Sequence, residues 1–206
     1  MHKAWLQSGT KGALRKAYQQ ARQAISEKER KLSSLAICEQ VLHSILKEPT
    51  IQRVHLFLPL KRAQEVDLTP LIPKLWAKGK RVILPRVEGR EMRHADYREG
   101  MPLERNRWGI LEPTDQAEFL DSKAIAEIDL ILTPLFISDS AGHRVGFGGG
   151  YYDRFFKEAS HAKRVGVNFF PPISGEIFDL HTGDLPLDLL ITPHKVYPSI
   201  FKREKK

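Results

Sequence analysis

The sequence has a single cysteine among its 206 residues, so no disulfide can form within the chain. Cys38 lies in an apolar-periodic stretch, which favours a buried thiol over a nucleophile. No apolar run approaches the roughly 18 residues of a membrane span, and the first residues lack the apolar segment of a signal peptide. We therefore expect a cytoplasmic protein without a membrane partner.

Strong clustering of basic residues is also missing. The net charge is +8, but the lysines and arginines are mixed with acids along the chain, apart from the tail "KREKK". A nucleic-acid-binding protein gains affinity from clustered cations that release counterions. We therefore expect no nucleic-acid partner, and the positive charge equally suits a small polyanionic ligand. We also expect the protein to be a monomer.

Several familiar site patterns are absent as well. Eight histidines are present, yet no His-Glu-x-x-His or Cys/His ligand spacing occurs, so a zinc site is not expected. No nucleophilic serine elbow is present. The glycine run at 146–150 is not followed by Lys-Ser or Lys-Thr, and a dinucleotide fingerprint aligned on Gly146 would place its third glycine at Tyr151.

The pattern that is present predicts one α/β domain spanning residues 1–206. Residues 10–46 have helical periodicity in two segments, separated by the capping box "SEKE" at 26–29. Strands and helices then alternate, which predicts a three-layer α/β/α fold with a mainly parallel central sheet and two N-terminal helices. The predicted strands are 53–60, 81–87, a shorter half-exposed one at 91–97, the most apolar and central one at 128–137, 163–169 and a last one at 187–193; the predicted helices are 69–79, closed by Gly79, and 151–159; and 103–113 is predicted to be an ordered loop.

The segment "GHRVGFGGGYYDR" at 142–154 is the leading site candidate, because it follows the apolar central strand and opens a helix. Glycines let backbone N–H groups approach an anion, and the helix N-terminus adds partial positive charge. Arg144 can contact phosphate, the two tyrosines offer flat faces and hydroxyls, and Asp153 can hold Mg²⁺. The alternative is a tight strand-helix turn with glycines in left-handed geometry.

These residues carry a resemblance to a known family. The stretch "DLILTPLFISDSAGHRVGFGGGYYDRFF" closely resembles the signature of 5-formyltetrahydrofolate cyclo-ligases, also called methenyltetrahydrofolate synthetases. "KGALRK", "FLPLKRAQEVD", "WGILEP" and "GDLPLDLLIT" resemble further segments of that family. The resemblance implies a sheet of the sugar-phosphate isomerase and CoA-transferase type.

The reaction that the resemblance implies is the ATP- and Mg²⁺-dependent closure of 5-formyltetrahydrofolate to 5,10-methenyltetrahydrofolate, with release of ADP and phosphate. The γ-phosphoryl group moves to the formyl oxygen, and the neighbouring nitrogen then expels phosphate. The protein mainly positions the reactants and neutralises charge.

Site residues follow from the resemblance position by position. Catalytic roles are implied for Lys11, Arg15, Arg144 and Tyr151. ATP binding is implied for Lys11, Gly12, Ala13, Leu14, Arg15, Arg144, Val145, Gly146, Phe147, Gly148, Gly149, Gly150, Tyr151 and Tyr152. Substrate binding, including contact between Glu65 and the pterin, is implied for Leu60, Glu65, Trp108, Gly148, Gly149, Gly150, Tyr151 and Tyr152. Magnesium binding is implied for Asp153 and Asp184.

Some positions depart from the family. Gly149 stands where some members carry Lys, Ser138 precedes the loop aspartate where Phe is common, and the loop "FPPISG" at 170–175 lacks a common Glu and Gln. Three alternatives stay open: a paralogue that binds folate or nucleotide without turnover, a basic nucleic-acid-binding protein, and an ATP-dependent enzyme for a thiamine or pterin analogue. For Trp108, a buried anchoring role stands beside packing on the folate.

Overall fold

The computed structural model describes residues 5–44 and 47–200. Its helices are α1 Lys11–Gln23, α2 Glu27–Ser44, α3 Leu71–Ala77, α4 Ser122–Ala126 and α5 Tyr151–Glu158. Its strands are β1 Arg53–His55, β2 Arg81–Glu88, β3 Glu91–Tyr97, β4 Leu103–Arg105, β5 Leu111–Pro113, β6 Leu130–Pro134, β7 Ile137–Ser138, β8 Arg144–Val145, β9 Lys163–Val167, β10 Leu189–Ile191 and β11 Val196–Pro198. No helix in these ranges combines the length and apolar character needed to cross a bilayer.

The central sheet has seven strands in the order β11-β10-β9-β6-β1-β2-β3. The five inner strands are parallel, and β3 and β11 pair antiparallel at the two edges. The most apolar strand, β6, is the middle one, as predicted, because its side chains are buried on both faces of the sheet. The carboxyl ends of β1, β6 and β9 therefore lie side by side at one edge of the sheet.

Helices cover both faces of this sheet, which confirms the three-layer prediction. On one face, α2 and α3 bury Ile37, Val41 and Leu75 against the sheet. On the other face, α5 buries Phe155 and Phe156. Cys38 is fully buried, and burial raises the pKa of its thiol to about 12, so it has the inert character expected of a core thiol.

The first helix packs elsewhere. Leu14 and Tyr18 of α1 join a third apolar cluster with Phe136 and Val145, beside the β7–β8 hairpin that follows β6. The α1 helix is therefore anchored at the same edge where the parallel strands end.

The capping box before α2 is confirmed, because the Ser26 amide donates to the Glu29 carboxylate at 3.0 Å and the Glu29 amide to the Ser26 hydroxyl at 3.3 Å.

Several predicted boundaries were wrong. The strand predicted at 53–60 stops at His55, because the buried apolar residues after it form a loop within the core. The stretch 103–113 is a β4–β5 hairpin rather than a loop. The strand predicted at 128–137 breaks after Pro134, β3 is as long as a full strand, and β11 follows the strand predicted to be last. The predicted helical end at 45–46 lies outside the described residues.

Candidate active site

The first helix brings two basic side chains to the carboxyl edge of the sheet. Lys11 forms an ion pair with Asp184, and the Arg15 Nε donates to the carbonyl of Gly146 at 2.7 Å. Partial burial opposes ionisation of Asp184, but hydrogen bonds from Lys11 and the His181 amide hold its pKa below the usual value. The four-residue spacing of Lys11 and Arg15 thus places both on one face of α1, as predicted, and in the structure this face meets Asp184 and the glycine loop.

The residues between these two are placed differently. Gly12 and Ala13 are exposed in the first turn of α1. Leu14 is fully buried, and its amide is used by the Thr10 carbonyl at 2.9 Å. Leu14 therefore anchors the helix in the core, and its side chain does not line an open site.

The glycine loop at 146–150 is shaped by close approaches. Gly148 has φ of +91°, and the Arg15 Nη2 lies 3.4 Å from where a β-carbon would stand. At Gly149 a β-carbon would lie 2.6 Å from the ring of Tyr151, which explains a glycine here. Gly150 has φ of +69° and caps the start of α5. The bare backbone thus lets Arg15 and Tyr151 close over the loop.

The other loop residues divide between core and surface. Val145 is fully buried, whereas the Phe147 side chain is half-exposed with its ring 4.7 Å from that of Phe136. The Tyr151 hydroxyl donates to the Gly89 carbonyl at 2.8 Å, which ties the start of α5 to the β2–β3 turn. A tie from this turn to the loop could not be expected from the sequence.

The tyrosine that follows is partly buried among apolar side chains of the sheet and of α5. The ring of Tyr152 lies 6.2 Å from that of His55 and 6.1 Å from that of Phe156. Burial and the nearby carboxyl of Glu65 raise its pKa, so the phenol stays neutral. Tyr152 therefore presents an uncharged side chain from α5 toward the loop that contains Glu65.

Arg144 and Asp153 form an ion pair below the loop. The Arg144 Nη2 donates to Asp153 Oδ1 at 2.8 Å, and its Nη1 donates to the Leu185 carbonyl. The guanidinium also lies over the Phe156 ring at 4.6 Å. Burial lowers the pKa of Arg144, and the charge of Asp153 opposes that shift. Arg144 was expected to contact phosphate, yet both of its terminal nitrogens are engaged by the protein.

The turn before Arg144 explains the Asp-x-x-Gly-x-Arg spacing. Asp139 is buried and accepts from the His143 amide at 2.9 Å, which closes the turn. Gly142 has φ of +90°, and a β-carbon there would lie 2.5 Å from the carbonyl of Leu187. Both residues therefore shape the β7–β8 hairpin that delivers Arg144.

The two predicted metal ligands stand close together. Leu185 follows Asp184 directly, and its amide donates to Asp153 Oδ1 at 3.1 Å. Each carboxylate is held by a cationic side chain, Asp153 by Arg144 and Asp184 by Lys11. No set of three or more His, Cys, Asp or Glu suited to a metal occurs among residues 5–44 and 47–200. Both carboxylates already bind the cationic side chain of a lysine or an arginine. Two carboxylate ligands fit Mg²⁺, because this ion keeps waters and phosphate oxygens as its other ligands.

Glu65 lies in the loop that follows β1. After a short 3₁₀ turn at Lys61–Ala63, Gln64 takes a left-handed conformation with φ of 51°. The Glu65 Oε2 accepts from the Leu60 amide at 2.7 Å, so the two predicted substrate residues are joined. Burial raises the pKa of Glu65 to about 7, whereas the Leu60 amide and the charge of Arg22 act against that rise.

Trp108 is not joined to this group. It is half-buried at the tip of the β4–β5 hairpin, where its amide donates to the Asn106 side chain at 2.9 Å and Arg107 covers its ring at 4.1 Å. Over the described ranges, no hydrogen bond or ring contact connects it with the glycine loop. The structure therefore leaves its predicted role untested.

Sequence reasoning missed two polar residues at this edge. Arg22 lies on α1, seven residues beyond Arg15, and Asn168 directly follows β9; both are buried. The Arg22 Nη2 donates to Asn168 Oδ1 at 3.3 Å. The spacing of Lys11, Arg15 and Arg22 along one helix face was the available signal.

Comparison with known proteins gives one consistent family for this chain. Residues 7–174 match the model of the 5-formyltetrahydrofolate cyclo-ligase family. The chain is 34% identical to the 5-formyltetrahydrofolate cyclo-ligase of Escherichia coli (strain K12) over 137 residues, 65% of this chain and 74% of the relative. It is 26% identical to a probable 5-formyltetrahydrofolate cyclo-ligase of Schizosaccharomyces pombe over 181 residues, 81% of this chain and 87% of the relative.

Solved structures show the same fold. The 5,10-methenyltetrahydrofolate synthetase of Aquifex aeolicus has 32% identity and a TM-score of 0.72, covering 95% of this chain and 96% of its own. That of Mycoplasma pneumoniae has 23% identity and a TM-score of 0.69, covering 89% and 99%. The fold defines a three-layer α/β protein whose candidate site lies at the carboxyl edge of a mainly parallel sheet. Within that class, this chain belongs to the 5-formyltetrahydrofolate cyclo-ligase family.

Proposed function

We propose that this protein converts 5-formyltetrahydrofolate to 5,10-methenyltetrahydrofolate with consumption of ATP in the presence of Mg²⁺. The observation that carries the proposal is that one face of α1 meets both the proposed magnesium ligand Asp184 and the glycine loop. Lys11 reaches Asp184, and Arg15 reaches the carbonyl of Gly146. Membership of the family supports the reaction. The positions of Lys11 and Arg15 beside Asp184 and the glycine loop support the binding of a triphosphate there.

The nucleotide phosphates are assigned to α1 and to the glycine loop. Arg15 stands beside Gly148, so its guanidinium and the loop backbone can bind a phosphate oxygen together. Lys11 exchanges Asp184 for phosphate when the nucleotide enters, because an ammonium on a flexible stem can change partners at low cost. Tyr151 closes the loop from the start of α5.

Asp153 and Asp184 are the residues that would hold magnesium. When bound, the ion neutralises charge on the β- and γ-phosphates during phosphoryl transfer. Arg144 orients Asp153 through their 2.8 Å contact. We assign Arg144 to this orienting role, because its terminal nitrogens are bonded to Asp153 and to the Leu185 carbonyl.

The folate is assigned to the space bounded by Leu60, Glu65 and Tyr152. An ionised Glu65 can accept hydrogen bonds from N–H groups of the pterin ring, and the neutral phenol of Tyr152 adds a flat wall. Tyr152 directly follows the glycine loop and Tyr151 in the chain, so a folate held against Tyr152 would lie next to the loop assigned to the phosphates. We keep Trp108 as a proposed folate contact on the resemblance alone.

The remaining expectations stay predictions. We propose a single domain that acts as a monomer in the cytoplasm, with no nucleic-acid or membrane partner. Asp184 lies beyond the matched residues 7–174, so its assignment depends on the resemblance of "GDLPLDLLIT" and on the contact of the next residue, Leu185, with Asp153.

The test mixes purified protein with 5-formyltetrahydrofolate, ATP and Mg²⁺, and follows the near-ultraviolet absorbance of the methenyl product. The Asp153→Ala variant is compared with Asp115→Ala, whose carboxylate is 79% exposed and pairs with Arg86 at the surface. We expect product from wild type and Asp115→Ala and little from Asp153→Ala. Folate binding without product in the wild type would instead indicate a binding protein or an enzyme for another substrate.

A further inference from the structure

Arg22 has an unusual environment for a charged side chain. It is 2% exposed and lies at the inner end of α1, against the carboxyl end of β6. Its Nη2 donates to the Leu135 carbonyl and, at 3.3 Å, to Asn168 Oδ1. Its Nη1 donates to the Ala63 carbonyl at 3.5 Å, and its guanidinium lies 4.8 Å from the centre of the Phe136 ring.

These contacts leave its charge poorly compensated. All three oxygen acceptors are neutral, and the Nε is buried without a hydrogen-bond partner. A guanidinium carries five N–H donors, and burying it without a counter-charge is costly. Burial accordingly lowers the pKa of Arg22 to about 10, and the carboxyl of Glu65 is the group whose charge opposes the shift. A core position alone would be filled at lower cost by an apolar residue.

The loop of Glu65 needs an external hold. Gln64 adopts φ of 51° and ψ of 45°, a left-handed conformation that costs a non-glycine residue about 1 kcal/mol or more. Its side-chain oxygen is also buried without a partner. Such a conformation persists only where the surroundings impose it, and the Ala63 carbonyl directly before it is the atom that Arg22 contacts.

We propose that Arg22 is a positioning residue for Glu65. It fixes the 60–65 loop through the Ala63 carbonyl and supplies the positive charge that faces the Glu65 carboxyl, so that this carboxyl accepts hydrogen bonds from the folate. The last step rests on the proposed function, whereas the effect of Arg22 on Glu65 does not.

The groups that face Glu65 come from two elements besides its own loop. Arg22 acts on it from α1, and Tyr152, whose own pKa is influenced by Arg144, lies near it on α5. Tyr152 stays neutral, so Arg22 provides the cationic charge that acts on Glu65. Burial raises the pKa of Glu65 to about 7, and loss of Arg22 would raise it further. The carboxyl would then be mostly neutral at pH 7 and could no longer accept two N–H donors.

The first measurement needs no substrate. The full-length protein carries ¹³C-carboxyl glutamate, the Glu65 resonance is assigned with Glu65→Gln, and its titration is followed by NMR in wild type, Arg22→Gln and Arg22→Lys. We expect the midpoint to rise by about one pH unit in Arg22→Gln. Lysine keeps the charge but cannot make the same fork of contacts, so its midpoint should lie between the two. An exposed helix residue, changed as Lys31→Gln, provides the control for net charge.

The second measurement uses folate turnover. A midpoint displaced from 7 to 8 leaves about one tenth of Glu65 ionised at pH 7, so the KM for folate should rise about fivefold in Arg22→Gln while kcat changes little. The KM should recover at higher pH in this variant. Glu65→Gln should abolish the pH dependence of KM, and the double variant should equal Glu65→Gln.

The outcomes separate the two proposals. An unchanged Glu65 midpoint in Arg22→Gln overturns the role of Arg22. If that variant does not fold, an unchanged Glu65 midpoint in Arg22→Met, which removes the charge but keeps a long unbranched side chain, overturns it equally. A displaced midpoint without turnover in wild type leaves the role of Arg22 standing and rejects the proposed function. A KM that rises equally at every pH, with the midpoint unmoved, indicates a structural role only.

Discussion

The Arg144 Nη2 lies 2.8 Å from Asp153 Oδ1, and the same oxygen accepts from the Leu185 amide at 3.1 Å. The Arg144 side chain is 8% exposed and that of Asp153 is 27% exposed. The charge of a nearly buried guanidinium is thus balanced by a carboxylate that still reaches solvent. Asp153 has a structural partner on one side and an open side where a cation could bind.

Asp153→Asn should therefore impair both stability and magnesium use. The amide keeps the shape but leaves the Arg144 charge uncompensated, so the free energy of unfolding should fall by about 1–3 kcal/mol. We expect kcat/KM for Mg-ATP to fall about 100-fold or more, because a carboxylate ligand is lost. Urea unfolding without ligands and initial rates over a magnesium series measure the two effects.

The matched control is Asp115→Asn, which removes a carboxylate paired with Arg86 at 2.8 Å but 79% exposed. It should change stability by about 0.5 kcal/mol or less, because solvent screens the pair. Wild-type magnesium dependence in Asp153→Asn would contradict the metal assignment.

Lys11→Met should weaken the binding of ATP without unfolding the protein. The side chains of the Lys11–Asp184 pair are 16% and 24% exposed. We expect the KM for ATP to rise about tenfold or more, because a cation that meets the phosphates is lost. Lys16→Met, on the same helix but exposed, should leave KM unchanged. Equal effects of the two substitutions would show that α1 contributes only general positive charge.

The sequence was sufficient for the layers because the relevant signals are local. The apolar run of β6 placed it at the sheet centre, and the box at 26–29 marked the start of α2. The end of β1 at His55 was not predictable, because the five residues after it are as apolar as the strand and are almost all buried. Hydrophobic periodicity reports burial, and here a buried loop continues a buried strand.

The site was predictable where residues act through a motif and unpredictable where they act through distant partners. The spacing of Lys11 and Arg15 predicted one helix face, which the structure confirms. The sequence carried no sign that the Tyr151 hydroxyl reaches Gly89 or that Arg22 reaches Ala63, because these partners are 62 and 41 residues apart. Only the folded chain brings such pairs together.

Gly148→Ala should weaken the binding of ATP in addition to lowering the free energy of unfolding. Gly148 has φ of +91°, and a β-carbon there would lie 3.4 Å from the Arg15 Nη2. Gly100 has a similar φ of +80° with nothing within 4 Å, so Gly100→Ala reproduces the backbone strain alone. Both should lose about 1 kcal/mol of stability. Only Gly148→Ala should raise the KM for ATP, because its methyl group would lie against the Arg15 guanidinium in the space assigned to a phosphate oxygen; equal KM values in both variants would contradict this assignment.

Acid should destabilise the protein through a buried histidine pair beneath α5. His55 and His94 are buried with ring centres 5.1 Å apart, and none of their four ring nitrogens has a hydrogen-bond partner within residues 5–44 and 47–200. Burial lowers the pKa of His94 to about 4 and that of His55 well below its usual value. Both rings are therefore neutral in the folded protein, whereas the unfolded chain takes up protons below about pH 6.5. More protons bind to the unfolded state, so stability falls as pH falls.

His94→Leu tests this linkage, because leucine fills a similar volume and does not titrate. The free energy of unfolding of wild type should decrease relative to the variant between pH 6.5 and 4, by up to about 1.4 kcal/mol per pH unit. Above pH 7 the difference should be constant, since both forms are then neutral in either state. Urea titrations at intervals of half a pH unit measure it. The His94 ring stacks on Phe155 of α5 at 4.0 Å, so helical circular dichroism and activity should be lost together as the pH falls. Parallel curves of the free energy of unfolding against pH for wild type and His94→Leu would exclude His94 as the source of acid sensitivity.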